Sequence, residues 1–190
     1  MGYGADPGAS SSRVELKREL EADMASEDRN EKAEPAMVPP VANPGIIRPP
    51  FVYLSAIVLG VLLHFAWPVQ LVPHTVSGPL GGSAVLVAVV LFLWAVRTLR
   101  AADTPVPGNR PTTAIVSKGP FRYSRNPIYL AFSLLQLGMA FSINSLWLLV
   151  TLVPAVALMS LVVIPREERY LERRFPSEYL AYKASVRRWL

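Results

Sequence analysis

The chain contains no cysteine and only two histidines, His64 and His74, among its 190 residues. The first absence excludes a disulfide framework, a thiolate nucleophile and any cysteine-held zinc or iron–sulfur centre. The two histidines do not approach a metal-ligand spacing, so no metal is expected. No G-x-G-x-x-G fingerprint is present and no strand pattern could carry one, which excludes a dinucleotide-type phosphate loop. No apolar run follows Met1, so a cleavable signal peptide is not expected and the first crossing segment must direct insertion. The absence with the largest consequence is that of charge. No Asp, Glu, Lys or Arg occurs in residues 49–96 or 126–165, stretches of 48 and 40 residues.

A soluble core helix rarely stays uncharged beyond about 14 residues, whereas a bilayer crossing needs roughly 20. Each stretch is therefore long enough for two crossings, and an ordinary soluble domain is excluded. The expected architecture is an all-α, polytopic membrane protein with about four transmembrane helices. The spans fall at about 51–72, 80–99, 127–141 and 146–164. The last two are joined at Ser142-Ile143-Asn144-Ser145, a turn-prone cluster that makes a tight helical hairpin. Its first arm has about 15 residues, or roughly 23 Å, less than a hydrocarbon core of about 30 Å. Residues 1–50 carry six basic and nine acidic residues with six prolines crowded into 35–50, and read as a disordered or linker tail ahead of a membrane domain at 51–190.

Two polar segments meet the membrane on one side. The first ends Gly119-Pro-Phe-Arg-Tyr-Ser-Arg-Asn-Pro-Ile-Tyr129 and runs directly into the third span. Asn126 and Pro127 suit an N-cap and first helical position. Arg122 and Arg125 among Phe121, Tyr123 and Tyr129 also suit an anion at the helix N-terminus. The second is Arg166-Glu-Glu-Arg-Tyr-Leu171 at the exit of the fourth span. Most of its charges read as a solvated, i to i+4 paired face. Glu167 and Glu168 lie in the first turn beyond the apolar run, where a carboxylate needs a cation or ligand. Beyond them Tyr179, Tyr182, Val186 and Trp189, interspersed with Lys183, Arg187 and Arg188, predict an interfacial amphipathic helix on anionic lipid, so that interfacial helices span 166–190.

These paired motifs, joined by an apolar hairpin, closely resemble the isoprenylcysteine carboxyl methyltransferase and phospholipid methyltransferase superfamily over about residues 80–190. The resemblance implies an integral-membrane methyltransferase that uses S-adenosylmethionine and methylates a lipophilic acceptor in a bacterial cell membrane. It places cofactor contacts on Thr113, Ala114, Ile115 and Val116, on Phe121, on Asn126, Pro127, Ile128 and Tyr129, and on Glu167. Where a base or an orienting charge takes part, Glu168 and Arg125 are the candidates. Asn126 stands where the prenylcysteine enzymes have His, Ala131 where Gly often follows, and Val163 where those enzymes have a substrate-contacting Arg, so a prenylcysteine carboxylate is not the only acceptor to consider. A phospholipid or thiol acceptor, or a non-catalytic membrane scaffold, would keep the same fold. The bilayer and the acceptor are the expected partners, with no nucleic acid; the oligomeric state is open.

Basic residues number six in 1–50, none in the first turn, six in 97–126, none in the hairpin turn and seven from Arg166 onward. The positive-inside rule then puts both termini and the Arg97–Asn126 loop in the cytoplasm. Reporter fusions after residues 40, 110 and 190 should read inside and those after 75 and 144 outside. An inside signal at 75 would break the four-crossing arrangement.

Overall fold

The computed structural model describes residues 48–104 and 112–190, whose regular structure is all helical with no strand among them. The helices are α1 (Pro49–Ala66), α2 (His74–Ala101), α3 (Pro127–Ser142), α4 (Leu146–Leu158), α5 (Ile164–Arg174) and α6 (Pro176–Ser185), with a 3-10 turn at Gly119–Arg122 ahead of α3. A π-type turn at Met159–Val163 joins α4 to α5 without a break. Among the described residues three helices are long and apolar enough to cross a membrane, Pro49–Ala66, His74–Ala101 and the continuous Leu146–Arg174, while Pro127–Ser142 is a shorter apolar helix. The expected linker or disordered tail lies outside the described residues apart from its last three positions.

Prolines set the boundaries that differ from the expected ones. Pro49 and Pro50, assigned above to the tail, are the first residues of α1, where a missing amide hydrogen has no partner to lose. Residues before proline are pushed away from helical geometry, and Trp67, ahead of Pro68, is extended at φ −149°, ψ 84°. The helix therefore stops at Ala66 instead of continuing to 72. In contrast α2 begins at His74, six residues earlier than expected, and carries Pro79 inside it. Pro165 cannot donate to the carbonyl four residues back and its ring crowds that group; the π-type turn just before it absorbs the misfit.

In lipid every backbone polar group needs an internal partner. On the side of the two uncharged turns, Asn144 provides them. Its backbone is left-handed at φ 52°, which ends α3. Its side-chain Oδ1 accepts from the amides of Leu71 (2.9 Å) and Val72 (3.0 Å), and its Nδ2 donates to the Val72 carbonyl (2.8 Å). The Leu146 amide donates to Val69 O at 3.0 Å and the Trp147 indole N–H to Trp67 O at 2.5 Å. Both turns are thus laced together.

Between the helices small residues allow close approach. A Cβ on Gly138 of α3 would sit 2.7 Å from the Val85 amide nitrogen of α2 and 3.1 Å from Gly81 O. Gln136, fully buried, donates from Nε2 to Leu148 O (3.1 Å) and Thr151 Oγ1 (3.2 Å), tying α3 to α4. Tyr53 ties α1 to α3 through Ser133 Oγ (2.8 Å) and the Tyr129 carbonyl (3.3 Å). Together these contacts hold the start of α3 in one place, which matters for the site below.

Overpacking a tight contact costs about 1–3 kcal/mol. Gly138→Ala should therefore lower the thermal midpoint in detergent by several degrees. Gly82→Ala, whose added Cβ meets nothing within 4 Å, should leave the midpoint unchanged. Equal midpoints for the two variants would show that α2 and α3 are not in close contact at Gly138.

Candidate active site

The charged residues on either side of the second uncharged stretch meet at one end of the helices. The chain enters α3 through Arg125-Asn126-Pro127, and α5 leaves the apolar core carrying Glu167 and Glu168; both carboxylate side chains are buried. Between them lies a cavity of about 230 Å³. The Tyr129 hydroxyl donates to Glu167 Oε1 at 2.6 Å, joining the first turn of α3 to the first turn of α5. Glu168 takes the cations: Oε1 lies 3.0 Å from Arg125 Nη1, and Arg188 forms a two-pronged pair at 3.1 Å (Nε to Oε1) and 2.6 Å (Nη2 to Oε2). A buried carboxylate is tolerated only with such compensation.

Eleven of the twelve residues expected from sequence line this cavity: Ala114, Ile115, Val116, Phe121, Arg125, Asn126, Pro127, Ile128, Tyr129, Glu167 and Glu168. Thr113 does not. Its hydroxyl donates to Asp103 O (3.0 Å) and pairs with Thr104 Oγ1 (3.1 Å), so it links the two described ends of the loop. Asn126 occupies the N-cap position but makes no capping bond with its side chain. Its Nδ2 donates instead to the Arg188 carbonyl at 3.0 Å, while its own amide donates to Ser124 Oγ at 3.2 Å. The ordinary cap reading of this residue is therefore corrected.

Several lining residues carried no such expectation. Tyr179 and Tyr182, expected on a lipid-facing helix, are buried and line the cavity. The Tyr182 hydroxyl donates to the Phe121 carbonyl at 2.7 Å, and Arg125 Nη1 lies 3.5 Å from the Tyr179 hydroxyl oxygen. Their three-residue spacing puts both on one face of α6, but spacing alone does not say which way that face turns. Phe92 and Phe132, with ring centroids 5.6 Å apart, and Pro49 and Pro50 add apolar lining to the cavity from α1, α2 and α3. Phenylalanines inside apolar spans look like lipid-facing residues in sequence.

The sequence model of the family described as phospholipid methyltransferase matches residues 76–178. The chain belongs to the phospholipid methyltransferase family. Membership makes it a membrane methyltransferase, and the matched region runs from the start of α2 into α6, including both Arg125-Asn-Pro-Ile-Tyr129 and Glu167-Glu168. Tyr53 on α1 and the residues from Tyr179 to Arg188 lie outside it. The chain matches none of the curated proteins and none of the solved structures with which it was compared.

Burial, with Glu168 adding a nearby negative charge, pushes the Tyr179 phenol from 10.0 up to about 12. Burial likewise raises Tyr182, and the hydrogen bond with Glu168 raises Arg188. A phenol whose folded value is raised contributes stability that is complete below pH 10 and is lost as pH rises through about 12. The decline in thermal midpoint between pH 9 and pH 12 should be shallower for Tyr179→Phe than for the unaltered protein. Parallel declines would show that this phenol is not held neutral by the fold.

Proposed function

We propose that this phospholipid methyltransferase family member transfers the methyl group of S-adenosylmethionine to a lipophilic acceptor at the cytoplasmic face of the membrane. The observation that carries the reading is the Tyr129–Glu167 hydrogen bond inside the cavity, because it makes the two motifs one binding surface. The residues suit this cofactor. Glu167 is a carboxylate that can accept from an amino group or ribose hydroxyls, the rings of Phe121 and Tyr129 offer faces to a sulfonium, and Ala114, Ile115 and Val116 give an apolar wall. When bound, S-adenosylmethionine supplies an electrophilic methyl on a positively charged sulfur.

The chain's own contribution is positioning and exclusion of water. Glu167, anchored by Tyr129, binds and orients. Glu168 has its oxygens engaged by two guanidinium groups, so it serves as an orienting charge in preference to a proton acceptor. Arg125 lines the cavity between that carboxylate and Tyr179 and is the side chain available to orient a polar group of the acceptor. The apolar lining supplied by Phe92, Phe132, Pro49 and Pro50 favours an acceptor with an apolar body that reaches the cavity sideways from the bilayer. Val163 is buried in the π-type turn and offers no charge to a prenylcysteine carboxylate, so lipophilic thiols, amines and acids belong beside prenylcysteine and phospholipid acceptors in any screen.

Equilibrium binding of S-adenosylhomocysteine to the detergent-solubilised protein tests the reading and separates it from a non-catalytic scaffold, which would bind none. Glu167→Gln should weaken that binding about tenfold or more, the loss expected for a charge-assisted hydrogen bond of about 1.5–3 kcal/mol, with the thermal midpoint nearly unchanged. In liposomes, methylation of a homologous acceptor series should rise with chain length, at about 0.8 kcal/mol of partitioning per buried CH₂. Equal turnover of short soluble and long-chain homologues would remove the lipophilic acceptor from the proposal.

A further inference from the structure

The segment after α6 lies beyond the family match, and sequence alone assigned its arginines to lipid headgroups. Its contacts are of another kind. Arg188 engages Glu168 of α5 with two guanidinium nitrogens, at 3.1 and 2.6 Å. Its carbonyl accepts from Asn126 Nδ2 at 3.0 Å and from Ser124 Oγ at 3.3 Å. One residue earlier, the Arg187 carbonyl accepts the Arg125 amide at 3.0 Å. Side chain and main chain of one residue therefore hold the two halves of the site at once, the approach to α3 and the start of α5. Arg187 itself is exposed, as a headgroup contact would be, whereas Arg188 is turned inward and partly buried.

The geometry points to Arg188 as a positioning residue of the methyltransferase site, clamping Asn126 to Glu168 so that the cavity between α3 and α5 keeps the width its ligand needs. This rests on the proposed cofactor reading for its ligand, but not for the clamp itself. A bidentate arginine–carboxylate pair fixes orientation as well as distance, and Lys can supply the charge but not the fork. The exposed pair Lys183–Glu172, at 2.6 Å on the adjoining helices, provides an ion pair of comparable length that holds no site residue.

The test uses the full chain in detergent, comparing R188M, R188K and K183M. Two quantities are read: the dissociation constant of S-adenosylhomocysteine, and amide exchange of the 121–130 segment without ligand. R188M should weaken binding at least fivefold and speed exchange at Arg125, Asn126 and Ile128, with its thermal midpoint within a few degrees of the unaltered protein. R188K should recover part of both effects, and K183M should match the unaltered protein in both. R188Q repeats the comparison should R188M fail to insert. Unchanged binding and exchange in R188M would overturn the clamp, as would a general loss of stability that R188K does not relieve. Failure of the unaltered protein to bind the probe would overturn the cofactor reading alone, and the exchange measurement would then decide the clamp by itself.

Discussion

A carboxylate buried at the edge of a hydrocarbon layer persists only where cations reach it, and Glu168 is such a carboxylate. Its side chain is 8 % exposed, and its partners come from distant parts of the chain, Arg125 before α3 and Arg188 after α6. Satisfying it brings together the loop, the end of the long helix and the segment beyond α6. Glu167, one residue earlier, then faces Tyr129, and the cavity is bounded by what had to converge. The ion cluster need not add net stability, since apolar side chains of similar volume could replace it. Its value lies in fixing which segments are neighbours.

The other end of the helices obeys the same rule with neutral groups. Asn144 offers both an acceptor and donors, and it spends them on Leu71 and Val72, two residues in a stretch with no helical ladder of its own. Gln136 does the comparable task between α3 and α4. These polar side chains, with glycines at the α2–α3 contact, set a frame in which α3 can be short. Tyr53 adds a tie from α1 to the Tyr129 carbonyl, so that a helix outside the matched region steadies a residue inside it.

The membrane architecture was readable in the sequence because it rests on composition: uncharged stretches of 48 and 40 residues leave few alternatives. The two motifs were readable because Arg125-Asn-Pro-Ile-Tyr129 and Glu167-Glu168 are local strings, and the structure brings them to one cavity. Helix ends were less accessible, since a proline can open a helix, as Pro49 does, sit inside one, as Pro79 does, or stop one early, as Pro68 does. Which behaviour applies depends on neighbours in space. Asn126 illustrates another limit: the residue type preferred for capping bonds here to a carbonyl 62 positions away. Tyr179 and Tyr182 carry a clear periodicity whose inward direction is set by Phe121 and Arg125, neither of them near in sequence.

The π-type turn at Met159–Val163 bears on the angular phase of everything after it. An α-helix advances about 100° and 1.5 Å per residue. A turn that accommodates one additional residue therefore rotates all that follows by roughly that angle relative to an uninterrupted helix. Glu167 and Glu168 are successive residues pointing in different directions, yet both line the cavity, so the phase at which α5 leaves the membrane leaves little margin. Shortening the helix by one residue within α4, upstream of that turn, would preserve its apolar composition and its length to within about 1.5 Å. It would also swing both carboxylates about a quarter-turn around the helix axis. In this protein the handle on the site is thus a phase, adjustable by the count of residues in a segment that touches no ligand.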